Sequence, residues 1–410
     1  MIATYPHVED EIVLYTAGSE SDLPVVKSVR ARNLPSPFTQ AFVANSDIVS
    51  STAVNVIVSI ASGTGQAEKF YQNDLTKVLQ SIGLKQDVNY STYYTASEDT
   101  VTELTQKVFL PCANAGRSQW IILLSGDGGV VDIVNALKNH HLSDKYVKPI
   151  ITLLPLGTGN ALAHSLRATF DNTMGLAAML RGRPQPLPLM RVSFSPGARL
   201  LTHEASVENE VHHLDGKPAF WGAVVCSWGL HATLVGDSDT SEYRQYGVER
   251  FQMAAKASLF PEDGGLPHRY RGKVSVLRSK AAGVWDDFGR REHAYVLATF
   301  VSNLEKTFTI SPDSMPLDGI LRLVHFGPLS GNEVMDVMNA AYDNGKHVHD
   351  DRVGYEEIEG LRIEFSEDDA KWRRVCVDGK IIRVEKGGWV EVVKDRHEVL
   401  DIVSMTGQPQ

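Results

Sequence analysis

Three compact apolar runs, each ending in a glycine-rich turn and followed by helical spacing, constrain the fold of this chain more than any other feature. The runs are VNVIVSI (54–60), which leads into ASGTGQ (61–66), then WIILLSGDGG (120–129) and PIITLLPLGTGN (149–160). Near-continuous apolar strands that alternate with helices are typical of a parallel sheet covered on both faces. The carboxyl ends of parallel strands meet at one edge of a sheet, so we expect the three turns to lie together there.

The rest of the chain divides around these units. Residues 1–50 are an N-terminal extension of short apolar stretches broken by Ser, Pro and Gly, and its role is not evident from the sequence. Residues 51–188 are predicted to be an α/β nucleotide-binding domain. Residues 189–404 contain short runs of alternating polarity, such as MRVSFS (190–195), which predict β-sheets packed face to face. Helical insertions are predicted at 246–259 and 332–342.

Composition excludes several classes of protein. The 410 residues suffice for two or three domains of about 150 residues. A net charge of −10 has the wrong sign for binding nucleic acid through the overall field. The three cysteines show no metal-ligand spacing, the start lacks a secretory signal, and no apolar run reaches the roughly 18 residues that span a bilayer. We therefore expect a cytoplasmic protein without a transmembrane segment, and peripheral membrane contact stays open.

Glycine-rich turns before helices favour phosphate binding, because backbone N–H groups and the helix dipole both attract an anion there. The alternative is that the glycines only permit tight turns. Neither GxxxxGK[ST] nor GxGxxG after the first strand is present, which excludes a Walker-type NTPase and an ordinary dinucleotide-binding domain.

Asp127 distinguishes the second turn, because the sequence SGDGG places a carboxylate where phosphates are expected. A carboxylate repels phosphate unless Mg²⁺ or a reacting proton shares the site. This predicts phosphoryl transfer, with Asp127 as general base or as a metal-linked acid. The alternative is that Asp127 caps the helix that follows it.

Two of these segments, SGDGGVVDIVN and PLGTGNALAHSL, resemble signatures of the diacylglycerol kinase catalytic domain family. The segment at 226–251 (CSWGLHATLVGDSDTSEYRQYGVERF) favours the branch of sphingosine and ceramide kinases. The resemblance implies a Rossmann-like α/β nucleotide domain of the NAD kinase/diacylglycerol kinase type, followed by a C-terminal β-sandwich that binds lipid. It also implies ATP-dependent phosphorylation of a primary hydroxyl on a sphingoid base, ceramide or diacylglycerol-type lipid.

The resemblance also assigns site residues. It makes Asp127 the general base, and Mg²⁺ enters with ATP, its protein ligands being unknown. Nucleotide contacts are implied for Ser59, Ile60, Ala61, Ser62, Gly63, Thr64, Gly65, Thr95, Gly126, Gly128, Gly129, Asp132, Gly157, Thr158, Gly159, Arg244, Arg250, Asp378 and Gly379. Asp237 and Asp239 would recognise the lipid head group, or form a solvated acidic loop. Asp378-Gly379 could equally be a hairpin turn.

Three departures from the family pattern keep alternatives open. Lys380 replaces a Glu, Ser59-Ile60 replaces Asn-Pro, and Gly129 stands where a larger residue is common. The alternatives are a non-catalytic nucleotide- or lipid-binding relative, or a kinase of a soluble metabolite such as NAD. The segment FQMAAKASLF (251–260) is a lid over the lipid, a membrane-touching surface or a core helix. Neither the lipid nor the oligomeric state is specified.

Overall fold

The computed structural model describes residues 52–169, 173–247, 249–279 and 283–405, together with strands at 3–6, 11–17 and 25–31. These residues belong to two compact units. The first comprises Met1–Leu187 with Glu398–Gln410, and the second comprises Pro188–His397.

The first unit contains two sheets. Its strands are β1 (Ala3–Pro6), β2 (Glu11–Ala17), β3 (Val25–Ala31), β4 (Ala53–Val58), β5 (Tyr90–Tyr94), β6 (Gln119–Ser125), β7 (Ile150–Pro155) and β8 (Arg183–Pro186). Strands β1–β3 pair antiparallel in a small sheet, whereas β5, β4, β6 and β7 lie side by side and parallel in the main one. All seven residues of β6 are buried, as expected for a central strand covered on both faces.

Helices of the first unit follow the strands of the main sheet. They are α1 (Ala67–Phe70), continued by a π-helical turn (Tyr71–Leu75) into α2 (Thr76–Ser81), α3 (Thr100–Leu104), continued by a second π-helical turn (Thr105–Phe109) into α4 (Leu110–Asn114), then α5 (Asp127–Lys138), α6 (Ala161–Ser165) and α7 (Leu176–Arg181). The helical spacing predicted after the first strand is confirmed, because Phe70, Leu75, Val78 and Leu79 are buried and Ile82 is partly buried. Gly83 follows with φ +85°, a conformation that ends a helix.

The second unit consists of two antiparallel sheets with helical insertions. Its strands are β9 (Leu189–Phe194), β10 (Arg199–Thr202), β11 (Val207–Glu210), β12 (His213–Leu214), β13 (Lys217–Gly222), β14 (Val225–Gly229), β15 (Tyr270–Leu277), β16 (Asp286–Asp287), β17 (Glu292–His293), β18 (Tyr295–Thr299), β19 (Leu321–Phe326), β20 (Val353–Ile358), β21 (Gly360–Phe365), β22 (Arg374–Val377), β23 (Lys380–Arg383) and β24 (Trp389–Asp395). Its helices are α8 (Leu230–Ser238), α9 (Ser241–Arg244), α10 (Glu249–Leu259) and α11 (Gly331–Tyr342), with 3₁₀ turns at Lys346–His349 and Ala370–Arg373.

The two sheets of the second unit pack face to face. One has the strand order β11-β10-β23-β22-β14-β18-β19-β20, and the other has β12-β13-β9-β24-β21-β15-β16, with β17 also paired to β15. Their inner faces share one core, to which Trp228 and Val296 contribute from the first sheet and Phe194 and Val392 from the second. The predicted order of an α/β unit followed by an antiparallel β-sandwich is confirmed.

The end of the chain differs from the predicted domain boundary at 404. Strand β25 (Asp401–Ser404) lies in the main sheet of the first unit, parallel to β7 and antiparallel to β8. Lys148 on this unit forms ion pairs with Glu398 (3.0 Å) and Asp401 (2.6 Å). A short apolar run cannot indicate which of two sheets it will join, because only the tertiary structure supplies the neighbouring strand.

Candidate active site

The three glycine-rich turns lie together at the carboxyl edge of the main sheet. Their backbones are in contact, since a Cβ on Gly157 would lie 2.3 Å from the Cα of Gly126, and one on Gly63 would lie 2.3 Å from the carbonyl oxygen of Leu156. Gly63 also has φ +55°, which favours glycine. These glycines are therefore required by close approach of three backbone segments, as well as by turn geometry.

Side-chain hydroxyls join the turns to one another. The hydroxyl of Ser62 accepts a hydrogen bond from the backbone N–H of Gly126 (3.2 Å). At the end of β5, the hydroxyl of Thr95 accepts one from the N–H of Ile60 (3.1 Å). The structure thus brings the predicted residues of the first turn, the second turn and Thr95 into one cluster.

Asn160 closes the third turn. Its side-chain oxygen accepts the backbone N–H of Gly157 (3.1 Å), and its side-chain nitrogen donates to the carbonyl of Gly157 (2.8 Å). The backbone of Asn160 is left-handed, with φ +53°, a conformation that Asn tolerates better than most residues. Asn160 was not among the predicted site residues. Its position directly after a glycine turn and before a helix is typical of an Asn that stabilises the turn through its side chain.

Asp127 lies between the second and third turns. It is the first residue of α5, whose N-cap is Gly126, so its side chain does not cap that helix. Both carboxylate oxygens instead accept the backbone N–H of Leu162, at 3.2 and 3.3 Å. Burial raises the pKa of Asp127 from 3.8 to about 6, even though hydrogen bonds from the N–H groups of Leu162 and Ala161 lower it. A carboxylate with a pKa near 6 can take up a proton close to neutral pH.

The other predicted residues of the first unit occupy the same edge. Ala61, Thr64 and Gly65 are exposed in the first turn, Asp132 is half-buried on α5, and Thr158 and Gly159 are half-buried in the third turn. The departure at Gly129 has a local reason, because a Cβ there would lie 2.9 Å from the hydroxyl oxygen of the buried Ser125. A Cβ on Gly128 would meet nothing within 4 Å.

The predicted acidic head-group residues of the second unit are ion-paired. Asp237 contacts Lys371 and Arg374, with both nitrogen–oxygen distances 2.9 Å. Asp239 lies 3.5 Å from a guanidinium nitrogen of Arg250. Both carboxylates remain partly exposed (29% for Asp237 and 44% for Asp239), and recognition of a lipid head group by either stays a prediction. Arg244 is the last residue of α9, and its side chain lies outside the described part of the structure.

Asp378 is fully enclosed by backbone amides within the second unit. Its carboxylate accepts the N–H groups of Ala223 (2.5 Å), Val224 (2.9 Å) and Val225 (2.6 Å). Asp378 and Gly379 have φ +48° and +86° and connect β22 to β23 as a two-residue hairpin turn. These contacts give the carboxylate a structural role, and nucleotide contact by Asp378 and Gly379 stays a prediction.

Replacing Asp378 by Ala should destabilise the second unit by about 3 kcal/mol or more, because three buried N–H groups lose their acceptor. Asp378→Asn should cost less, since its remaining oxygen can still accept and Asn tolerates the left-handed backbone. Urea unfolding followed by Trp fluorescence suits this test, because five of the six Trp residues lie in the second unit. Equal midpoints for the wild type and Asp378→Ala would contradict the structural role.

The described residues were compared with the requirements of a metal site. Within the described ranges, no group of three or more His, Cys, Asp or Glu side chains is placed to hold a metal ion. Mg²⁺ that accompanies a nucleotide needs only one or two protein carboxylates, because phosphates and water supply its other ligands. No contact among the described residues assigns a protein ligand to such an ion, and its ligands stay unassigned.

Comparison with known proteins agrees with this geometry. Residues 53–192 match the diacylglycerol kinase catalytic domain. This stretch contains all three glycine-rich turns, Thr95 and Asp127. The resemblance inferred from SGDGGVVDIVN and PLGTGNALAHSL is confirmed.

Curated relatives of the chain are sphingosine kinases at low identity. Human sphingosine kinase 2 is 24% identical over 233 residues, which are 54% of this chain and 30% of that protein. Arabidopsis thaliana sphingosine kinase 1 is 21% identical over 202 residues, 48% of this chain and 35% of the relative. Human sphingosine kinase 1 is 22% identical over 233 residues, which are 55% of this chain and 51% of that protein. The matched segments therefore span about a third to a half of these relatives.

Solved structures extend the similarity to both units. A diacylglycerol kinase from Bacillus anthracis str. Sterne has a TM-score of 0.51 and 12% identity, covering 87% of this chain and 98% of that structure. A second structure from the same organism, with the same coverage and identity, has a TM-score of 0.56. At this identity the likeness shows the fold alone, and it covers the α/β unit and the β-sandwich together.

Proposed function

We propose that this protein is an ATP-dependent lipid kinase in which Asp127 is the general base. The observation that carries the proposal is the convergence of three glycine-rich backbone turns around one carboxylate at the edge of a parallel sheet. Backbone turns of this kind suit phosphates. A carboxylate among them suits removal of a proton from the attacking hydroxyl.

In the proposed reaction, Asp127 accepts the proton of a primary lipid hydroxyl. The hydroxyl oxygen bonds to the γ-phosphorus of ATP, and the bond from that phosphorus to the β,γ-bridging oxygen breaks, releasing ADP. When bound, Mg²⁺ neutralises phosphate charge. Ser62 and Thr95 fix the turns that surround the phosphates. Placing the general base in a partly buried position makes its carboxylate more basic, which favours proton removal.

The lipid is proposed to bind the second unit. Its β-sandwich and the segment around α8–α10 correspond to the part of the chain that favours the sphingosine and ceramide kinase branch. Because Asp237 and Asp239 already pair with Lys371, Arg374 and Arg250, a cationic head group would compete with protein cations. A neutral hydroxyl-bearing head group avoids this competition.

The decisive experiment measures transfer of labelled γ-phosphate from Mg²⁺ATP. The acceptors are sphingoid bases, ceramides, diacylglycerols and monoacylglycerols in mixed micelles, with NAD in a separate aqueous arm. Label in one lipid class that disappears in Asp127→Asn and persists in Asp144→Asn, an exposed Asp on a loop, supports the proposal. Label only in NAD indicates a soluble-metabolite kinase. If ATP binds but no acceptor is labelled, the protein is a non-catalytic relative. In that case Lys380→Glu, which restores the Glu of the family pattern, is the first substitution to test for recovery of activity.

The proposed location is the cytoplasm, with peripheral attachment to a membrane. In the described part of the chain, no helix is both long and apolar enough to cross a bilayer. Helix α10 buries Ala254 and Leu259, while Met253 and the following Phe260 and Leu266 are exposed. The exposed apolar side chains suit insertion into the head-group region of a membrane.

Replacing Met253, Phe260 and Leu266 together by Gln should reduce co-sedimentation with phosphatidylcholine/phosphatidylserine vesicles at least about fivefold. The reason is that each exposed apolar side chain contributes on the order of 1 kcal/mol when it leaves water. Stability should change little, because none of the three is buried. Val88→Gln and Val284→Gln, which alter exposed Val residues elsewhere, are the matched controls. Unchanged sedimentation of the triple variant would rule out membrane contact at this surface.

A further inference from the structure

Asn160 lies in the third turn, where its side chain makes three hydrogen bonds to the backbone of that turn. Both ends of the amide are engaged with Gly157, one as acceptor and one as donor. Its nitrogen also reaches the carbonyl of Pro155 (3.4 Å), the last residue of β7. The amide therefore fixes the whole turn that connects β7 to α6.

The same amide lies against the backbone of the second turn. A Cβ on Gly126 would lie 3.6 Å from the side-chain oxygen of Asn160, and one on Gly157 would lie 2.8 Å from it. Any movement of the Asn160 side chain consequently changes the packing of Gly126 against Gly157. Gly126 is the residue directly before Asp127.

Asn160 also sets the start of α6, of which it is the N-cap residue. Two residues later, the N–H of Leu162 is donated to both oxygens of Asp127. The carbonyl of Asn160 accepts the N–H of His164 (2.9 Å), so Asn160 joins the third turn, through its side chain, to the helix that carries Leu162, through its backbone. A donor held in place stabilises the carboxylate anion and opposes the effect of burial.

We infer that Asn160 is a positioning residue that holds the Leu162 N–H against the carboxylate of Asp127 and so tunes the proton affinity of the proposed general base. The inference rests on the proposed function of Asp127 for its catalytic meaning. Asn160 itself touches neither the hydroxyl proton nor the reacting phosphorus. Its effect on the reaction passes through Leu162 and Asp127.

The variants must separate the amide contacts from the left-handed backbone. Asn160→Gly keeps a residue that adopts φ +53° freely and removes all amide contacts. Asn160→Ser keeps an uncharged hydroxyl that can make one of the contacts with Gly157, and it adds no second carboxylate near Asp127. If the inference holds, the Gly variant changes the site without backbone strain, and the Ser variant keeps part of the wild-type geometry.

The primary measurement is the pH profile of kcat/KM for the lipid that the wild type phosphorylates. In Asn160→Gly the acidic limb should move up by about one pH unit, because losing one hydrogen bond to a carboxylate raises its pKa by roughly that much. In Asn160→Ser the acidic limb should move by less, because part of the contact with Gly157 is kept. A merely structural defect would lower the amount of active protein at every pH without moving the limb, and that result would overturn the inference.

A second readout does not depend on activity. Titration of ¹³Cγ-labelled Asp residues by NMR, with the Asp127 signal assigned by its loss in Asp127→Asn, measures the pKa of Asp127 directly. An upward shift in Asn160→Gly supports the positioning role even if no lipid is phosphorylated, in which case only the proposed function fails. An identical Asp127 titration in both proteins overturns the positioning role, whatever the wild type phosphorylates.

Discussion

Asp127→Asn is expected to lower kcat for phosphoryl transfer by roughly 10²–10⁴-fold, the range that a positioned general base contributes. Asn has nearly the same shape, and its side-chain oxygen can still accept the N–H of Leu162. The turns should therefore keep their arrangement while the proton acceptor is lost. Single-turnover transfer of labelled phosphate measures the loss.

The raised pKa of Asp127 adds a pH dependence of defined sign. The carboxylate is the active form, and with a pKa of about 6 it is progressively protonated as the pH falls, so wild-type kcat/KM should decrease below about pH 6. The pKa of Asp127 is higher in the folded chain than in the unfolded chain. Ionisation of Asp127 therefore lowers the free energy of unfolding as the pH rises from 3.8 to about 6. Asp127→Asn should thus stabilise the first unit at pH 7 by about 2 kcal/mol while removing activity.

A stabilised and inactive Asp127→Asn would separate catalysis from folding at a single position. Asp144→Asn, on an exposed loop of the same unit, controls for loss of one negative charge. Full activity of Asp127→Asn would exclude Asp127 as the base. The same conclusion would follow if the residual activity of Asp127→Asn fell below pH 6 in the same way as that of the wild type. A variant that loses stability instead would indicate that the carboxylate serves chiefly to anchor Leu162.

Gly157→Ala should disrupt the site most severely among the glycine substitutions. The added Cβ would lie 2.3 Å from the Cα of Gly126 and 2.8 Å from its backbone nitrogen, so two backbone segments must separate. We expect a loss of about 3 kcal/mol in the unfolding free energy of the first unit. ATP binding should be undetectable at concentrations that saturate the wild type. Hydrogen exchange of peptides covering β6 and β7 reports stability in this unit, and isothermal titration reports nucleotide binding.

Gly128→Ala is the matched comparison, because its Cβ meets no protein atom within 4 Å. The unfolding free energy of Gly128→Ala should lie within about 1 kcal/mol of the wild-type value. We expect a small increase, because Ala is more favourable than Gly inside a helix. If phosphates approach this turn closely, Gly128→Ala should still weaken ATP binding. Equal stabilities of the Gly157→Ala and Gly128→Ala variants would contradict the close packing of the turns.

Much of the fold was predictable from local patterns. Central parallel strands are covered on both faces, so β4, β6 and β7 appear in the sequence as near-continuous apolar runs. The glycines after them predicted the edge of the sheet where a ligand would bind. Alternating polarity likewise indicated the sandwich of the second unit. The sequence SGDGG selected Asp127, because it places a carboxylate in a turn whose glycines favour phosphate binding.

The partners of the polar side chains were decided only by the tertiary structure. The carboxylate of Asp127 receives an N–H from Leu162, 35 positions away, and that of Asp378 receives three N–H groups more than 150 positions away. Asp237 pairs with Lys371 and Arg374, which lie more than 130 positions away in the sequence. Burial and the direction of a backbone N–H determine whether a carboxylate acts as base, cap or anchor. A local sequence pattern fixes hydrophobic periodicity and turn geometry, but these distant groups meet only when the chain is folded.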